Sequence, residues 1–164
     1  MSTATLYDRI QEVRELYPEG TNSAVLPALR LAQEEYGWLS PDAFREVADA
    51  LDLTPAYCHS VASFYDQFNL EPVGRHMVEV CTNVSCALYG AQAVLEAFQD
   101  ELGCRAGETT DDGKATLRTI ECLGGCSWGT IVAVDGNYRL KVQPGDVPAI
   151  VAGLTWDPSQ SLNR

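Results

Sequence analysis

Four of the six cysteines in this 164-residue chain fall into two close pairs. Cys81 and Cys86 are separated by four residues, and Cys122 and Cys126 by three. Each pair is predicted to lie at the end of a strand, so neighbouring strands would bring all four thiols to one edge of a sheet. Thiolates gathered in this way bind soft metal ions and iron–sulfur clusters. We therefore expect a metal or cluster site built from these four residues.

The spacing within each pair favours a two-iron cluster over a single zinc ion. Structural zinc sites typically use cysteines separated by two residues, because one tetrahedral ion takes both sulfurs. The wider spacings suit a [2Fe–2S] cluster, and plant-type ferredoxins also begin with two cysteines separated by four residues. Zinc is one alternative, and thiols or disulfides are another. A thiol oxidoreductase is disfavoured, because its usual dithiol has two intervening residues.

The loops between the paired cysteines are rich in small and polar residues. Residues 82–85 are Thr-Asn-Val-Ser, and residues 123–125 are Leu-Gly-Gly. Such loops let backbone N–H groups turn towards sulfur, and these hydrogen bonds help to set a reduction potential. Gly124 and Gly125 are expected to adopt backbone conformations closed to other residues.

The other cysteines and both histidines are predicted to be structural. Cys58 lies on a predicted helix and Cys104 in a predicted loop. Neither His59 nor His76 has a partner at ligand spacing, which disfavours the two histidine ligands of a Rieske centre. No paired carboxylates indicate acid–base catalysis, and Asp111-Asp112 is expected to lie on a solvated surface.

Composition and charge exclude several kinds of partner. The net charge of −12, from 23 acidic and 11 basic residues, repels phosphate backbones, so nucleic acid is not an expected partner. No apolar stretch approaches the roughly 20 residues that cross a bilayer, and the N-terminus lacks a secretory signal pattern. We therefore predict a cytoplasmic protein without direct membrane insertion, in a compartment where structural disulfides are rare.

Hydrophobic spacing predicts an α+β protein with two domains. Residues 1–70 are predicted to form a bundle of four short helices, with Ser40 and Thr54 as N-caps before prolines and Asn22 or Ser23 capping the second helix. A turn-rich junction then begins a second domain, residues 71–164, whose tail after Trp156 is expected to be loose.

The second domain is predicted to follow the order β-α-β-β-β-α, as in a small thioredoxin-like layer. Strands are expected over residues 76–81 and 115–121, and a helix carries Leu88 through Leu102. Residues 131–134 and 138–142 flank Asp135-Gly136-Asn137, which predicts a hairpin. A last helix is expected from residue 146 to about residue 154.

Six segments carry motifs that are specific in combination. They are Ala32-Gln33-Glu34-Glu35 with Gly37-Trp38-Leu39, Ser63-Phe64-Tyr65-Asp66-Gln67-Phe68, Pro72-Val73-Gly74, Val80-Cys81-Thr82-Asn83-x-x-Cys86, Gly107-Glu108-Thr109-Thr110 with Asp112-Gly113, and Glu121-Cys122-Leu123-Gly124-x-Cys126. Over about residues 5–154 the chain thereby resembles the 24-kDa-type [2Fe–2S] subunit of NADH:quinone oxidoreductase, respiratory complex I. It is similar in the same way to diaphorase subunits of NAD-reducing hydrogenases and NAD-dependent formate dehydrogenases.

The resemblance implies a helical bundle followed by a thioredoxin-like [2Fe–2S] ferredoxin domain, with Cys81, Cys86, Cys122 and Cys126 as cluster ligands. It implies a non-catalytic electron-transfer subunit that docks on a subunit binding FMN and NADH. Its complex would place it peripherally on the cytoplasmic face of the inner membrane. The equivalent hydrogenase or formate dehydrogenase subunit is the alternative function, and a zinc-stabilised binding module is a more distant one.

Hydride chemistry is expected on the partner, because this chain has neither a Gly-x-Gly-x-x-Gly motif nor a P-loop. A flavin there would convert two-electron into one-electron transfer.

Two further features bear on this resemblance. Family members commonly carry Ala-Pro three and four positions after the last ligand, where this chain has Gly129 and Thr130. Phe64, Tyr65 and Phe68 are expected to fill the core between the two domains, and a docking face for the flavin subunit is the alternative.

Overall fold

The computed structural model describes residues 4–18 and 20–155, and the tail predicted to be loose lies outside them. The chain divides into two compact units, Met1–Pro72 and Val73–Arg164. No helix within the described residues is both long and apolar enough to cross a bilayer.

Within the described residues, the first unit contains four α-helices. They are α1 (Leu6–Glu15), α2 (Val25–Tyr36), α3 (Pro41–Leu51) and α4 (Pro55–Ala62). Their apolar faces pack into one core, which includes Ile10, Leu29, Val47, Leu51 and Phe68. The spacing of apolar residues therefore predicted the bundle correctly.

Two of the predicted helix caps are confirmed. The Ser40 side chain accepts a hydrogen bond from the Ala43 N–H at 3.1 Å, and the Thr54 side chain accepts one from the Tyr57 N–H at 3.2 Å. The predicted cap of α2 is wrong, because residues Thr21–Ala24 form a 3₁₀ turn that continues directly into this helix. A chain that is already helical offers no extended residue whose side chain could cap.

The aromatic residues after α4 differ in their exposure to solvent. The helix ends at Ala62, and beyond it Phe64 is 79% exposed and Tyr65 is 40% exposed. Phe68 is buried in the core of the bundle. The helical spacing on which the predicted core role rested does not continue past Ala62, and Phe68 packs within the bundle itself. A role for Phe64 and Tyr65 between the two domains stays a prediction.

The second unit is built on a four-stranded mixed sheet, counted over the described residues. Its strands are β1 (His76–Cys81), β2 (Ala115–Ile120), β3 (Val132–Val134) and β4 (Asn137–Arg139), in the spatial order β2-β1-β3-β4. β1 is parallel to β2 and antiparallel to β3. Helices α5 (Val84–Leu88), α6 (Ala91–Leu102) and α7 (Val147–Ala152) complete the unit, which confirms the predicted α+β class.

Two boundaries in this unit differ from the prediction. Gly90, in the left-handed region with φ 92°, separates α5 from α6, so Leu88 does not begin the long helix and is 84% exposed. The hairpin is confirmed, with Asp135 and Gly136 both at positive φ in its turn, but β4 ends at Arg139 rather than Val142.

The pairing of β1 with β2 sets the position of the cysteines. Cys81 lies opposite Ile120 at the last pair of this parallel ladder. Because parallel strands end at the same edge, the segments following them leave the sheet side by side. This is the arrangement that the sequence required for the two cysteine pairs to meet.

Candidate metal centre

The first cysteine pair lies in the interior of the second unit. Cys81 is the last residue of β1 and Cys86 lies within α5, and both are buried. The Asn83 side chain begins α5 by accepting a hydrogen bond from the Val84 N–H at 2.8 Å. This turn brings Cys86 back beside the end of its own strand, where it packs with Cys81 in a small apolar cluster.

The second pair is exposed. Cys122 follows β2, and Cys126 begins a 3₁₀ turn, Cys126–Trp128. Between them Gly124 has φ 77°, which confirms the predicted left-handed glycine, and its N–H donates to the Cys122 sulfur at 3.3 Å. Gly125 does not have positive φ, since its φ is −104°. The Ile131 side chain packs so close to it that an added Cβ would overlap this side chain.

The two loops converge at the edge of the sheet. The Cys81 sulfur lies 4.0 Å from the carbonyl oxygen of Glu121, the residue that precedes Cys122. The Cys86 thiol interacts with the side chains of both Cys81 and Cys126. The loops of both pairs therefore lie at the same edge of the sheet, and the Cys126 thiol is near enough to raise the pKa of Cys86. The four-thiol ligand set stays a prediction.

The surroundings of Cys86 oppose a negative charge unless a metal is present. Burial raises the pKa of the Cys86 thiol, the Ile131 N–H that donates to its sulfur lowers it, and the Cys81 and Cys126 thiols raise it. The repulsion arises because thiolates of like charge disfavour one another at short range. A bound cationic metal reverses that preference and deprotonates thiol ligands.

A family model described as thioredoxin-like [2Fe–2S] ferredoxin matches residues 10–155. The chain belongs to this ferredoxin family. The cofactor expected from the cysteine spacing, a [2Fe–2S] cluster, is the cofactor of the family.

Sequence similarity to two named relatives covers most of the chain. The second of the E-type subunits of NADH-quinone oxidoreductase from Rhizobium meliloti is 37% identical over 147 residues, which cover 90% of this chain and 87% of the relative. NADH-quinone oxidoreductase subunit 2 of Thermus thermophilus is 36% identical over 149 residues, covering 90% of this chain and 82% of the relative.

A solved structure supports the fold. A chain of the NAD⁺-reducing [NiFe]-hydrogenase in the air-oxidized state superposes with a TM-score of 0.72 at 20% identity. The match covers 84% of this ferredoxin but only 25% of the hydrogenase chain. At this identity the likeness concerns the fold alone.

The donor set of the ferredoxin fits a [2Fe–2S] cluster. Four thiols lie in two adjoining loops, and backbone N–H groups of Gly124 and Ile131 donate to two of the sulfurs. A two-iron cluster takes its four thiolates divided between two metals and is stabilised by such N–H donors. Among residues 4–18 and 20–155, no group of three or more His, Cys, Asp or Glu side chains is arranged to hold a metal ion.

The remaining cysteines and histidines of the ferredoxin have packing partners elsewhere. Cys58 is buried in the helical core and Cys104 in the main core of the second unit, and burial raises the pKa of both thiols. The His59 ring packs edge-on against Phe44, and His76 lies 2.7 Å from a carboxylate oxygen of Asp135.

Two residues that contact the backbone or sulfur of the first cysteine pair, Thr130 and Ile131, were not predicted from the sequence. Ile131 contacts Cys86 through its N–H and accepts a hydrogen bond from the Cys81 N–H at 3.0 Å. Thr130 is fully buried beside them. The one available signal was the departure from the family's Ala-Pro at Gly129 and Thr130, whose connecting peptide bond is cis.

Proposed function

We propose that this ferredoxin is the one-electron carrier subunit of an NADH:quinone oxidoreductase. The cluster ligands in this proposal are Cys81, Cys86, Cys122 and Cys126. The observation that carries it is the convergence of two cysteine loops at one sheet edge, in a chain 37% identical over 90% of its length to an E-type subunit of NADH-quinone oxidoreductase.

The protein's own residues would bind the cluster, shield it and adjust its charge. The cluster supplies reversible one-electron chemistry when bound. Cys81 and Cys86 would hold it on the buried side, and Cys122 and Cys126 on the side open to a partner. The N–H groups of Gly124 and Ile131 would stabilise the additional negative charge that arrives with an electron, because hydrogen bonds to sulfur raise a reduction potential.

The proposed partner is a subunit that binds FMN and NADH. A hydride carries two electrons and a [2Fe–2S] cluster accepts one, so a flavin is needed between them. Through this complex the chain would lie peripherally on the cytoplasmic face of the membrane. The equivalent subunit of an NAD-reducing hydrogenase is the second candidate, and a chain of such an enzyme shares the fold with a TM-score of 0.72.

Purification of the tagged chain from its native host under anaerobic conditions tests this proposal. We expect it to retain a flavin-containing subunit that oxidises NADH and reduces quinone. NADH should reduce the iron–sulfur centre of the complex, as followed by electron paramagnetic resonance (EPR), but not that of the isolated chain. A complex with hydrogen-dependent NAD⁺ reduction would support the second candidate. Reduction of the isolated chain by NADH would contradict both.

A further inference from the structure

Thr130 is a polar residue without exposure to solvent. Its carbonyl oxygen accepts a hydrogen bond from the Val142 N–H at 2.9 Å, which fixes the backbone on one side. On the other side its hydroxyl lies 3.5 Å from the carbonyl oxygen of Cys86 and 3.4 Å from that of Tyr89. The hydroxyl therefore faces the C-terminal end of α5, the helix that carries one of the proposed ligands.

The next residue contacts both members of the first cysteine pair. The Ile131 N–H donates to the Cys86 sulfur, and its carbonyl accepts from the Cys81 N–H at 3.0 Å. Any shift of α5 relative to Thr130 would change the N–H to sulfur contact at Cys86, because Thr130 and Ile131 share one peptide unit.

Gly129 allows the Tyr89 side chain to pack close to the backbone next to Thr130. A Cβ added at this position would lie 2.5 Å from Cδ2 of the Tyr89 ring, so the ring packs directly on the glycine backbone. The Tyr89 carbonyl is also one of the two that face the Thr130 hydroxyl. The two positions that depart from the family's Ala-Pro thus contact the same residue of the ligand loop.

We propose that Gly129, Thr130 and Tyr89 form a clasp that positions Cys86 for the cluster, with the Thr130 hydroxyl as its positioning group. This rests on the proposed ligand set. The hydroxyl offers its single proton to two carbonyls at the end of α5, one of which, that of Cys86, also accepts from the Tyr89 N–H at 3.1 Å. Without the hydroxyl, α5 loses its side-chain hydrogen bond to the Thr130 segment. The helix end can then move, and with it the sulfur of Cys86.

Two variants of the full-length chain separate the hydroxyl from the shape of the side chain. Thr130→Val removes the hydroxyl at nearly constant volume, and Thr130→Ser retains it. The first readout is amide hydrogen exchange over residues 87–90 of the metal-free chain. The second is the set of EPR g values and the midpoint potential of the reconstituted cluster, together with the rate of iron loss to a chelator.

We expect Thr130→Val to speed exchange over residues 87–90 and iron loss by about two- to tenfold, the range expected for one hydrogen bond. It should also shift the EPR g values and the potential. Thr130→Ser should resemble the wild type in every readout. Identical behaviour of Thr130→Val and wild type, or equal defects in both variants, would overturn the clasp while leaving the ligand proposal intact. A wild-type chain that binds no cluster would overturn both proposals.

Discussion

Burial distinguishes the two halves of the proposed site at the scale of single residues. Cys81 and Cys86 are buried, whereas Cys122 and Cys126 are exposed. Each pair has one backbone N–H donor, Ile131 to Cys86 and Gly124 to Cys122, but the buried pair alone is shielded from water. The exposed pair leaves one side of the site open, as electron exchange with a partner requires.

Alanine substitution of the cysteines should give two distinct outcomes. Cys86→Ala and Cys122→Ala should abolish the normal reconstituted cluster, because a [2Fe–2S] centre needs four protein ligands. Cys58→Ala and Cys104→Ala are the matched controls and should retain it, since their thiols lie in two separate apolar cores. Visible absorption and EPR after anaerobic reconstitution provide the measurement. A loss from Cys58→Ala as large as that from Cys86→Ala would overturn the ligand assignment.

Residue types and spacing favoured a [2Fe–2S] cluster over zinc or free thiols, and the family confirms that cofactor. Of the two glycines expected in backbone conformations closed to other residues, Gly124 has positive φ and Gly125 does not. The contacts of Thr130 and Ile131 could not be predicted. They depend on an approach between segments some 40 residues apart, with Thr130 facing Cys86 across 44 positions. Nothing local to Thr130 distinguishes it from a threonine at the start of any buried strand.

The pairing of β1 with β2 positions the cysteine loops. Residues at the start of this pairing therefore affect the site as much as those at its end. Gly74 precedes β1 and donates its N–H to the Thr116 hydroxyl at 2.6 Å. A Cβ at this position would lie 2.6 Å from the carbonyl carbon of Ala115, which belongs to the β2 backbone and cannot rotate away.

Gly74→Ala should therefore destabilise the second unit. The overlap is with backbone, so we expect a loss of about 1–3 kcal/mol in the free energy of unfolding, as for other overpacked sites. Gly145→Ala is the matched control, because nothing lies within 4 Å of a Cβ added there. It should change stability by less than about 0.5 kcal/mol. Urea unfolding of the metal-free chain, followed by circular dichroism, makes the comparison, and equal stability of the two variants would contradict it.

Helices were predicted correctly where the signal was local. The prediction failed at Gly90, where the backbone leaves the helical conformation for a single residue. Ser40 and Thr54 identified helix starts because their caps need only the next few residues. The apolar spacing from Leu88 to Leu102 was continuous across Gly90, so sequence did not reveal the break between α5 and α6. That break exposes Leu88 and Tyr89 beside the cysteine loops.

The whole molecule combines a helical bundle with a ferredoxin unit and carries a net charge of −12, which repels phosphate backbones. The positions of the two units in the sequence agree with the turn-rich stretch around residues 71–74. Membership in the [2Fe–2S] ferredoxin family accounts for the grouping of four cysteines in two loops at one sheet edge. The central claim is that the four paired thiols bind two bridged irons.

Iron and acid-labile sulfide content of the anaerobically reconstituted chain tests this claim most directly. We expect about two irons and two sulfides per chain, the composition of a [2Fe–2S] cluster, with one reversible electron per chain in a redox titration. A reconstituted protein that folds but contains neither iron nor sulfide, or that holds zinc in their place, would contradict it.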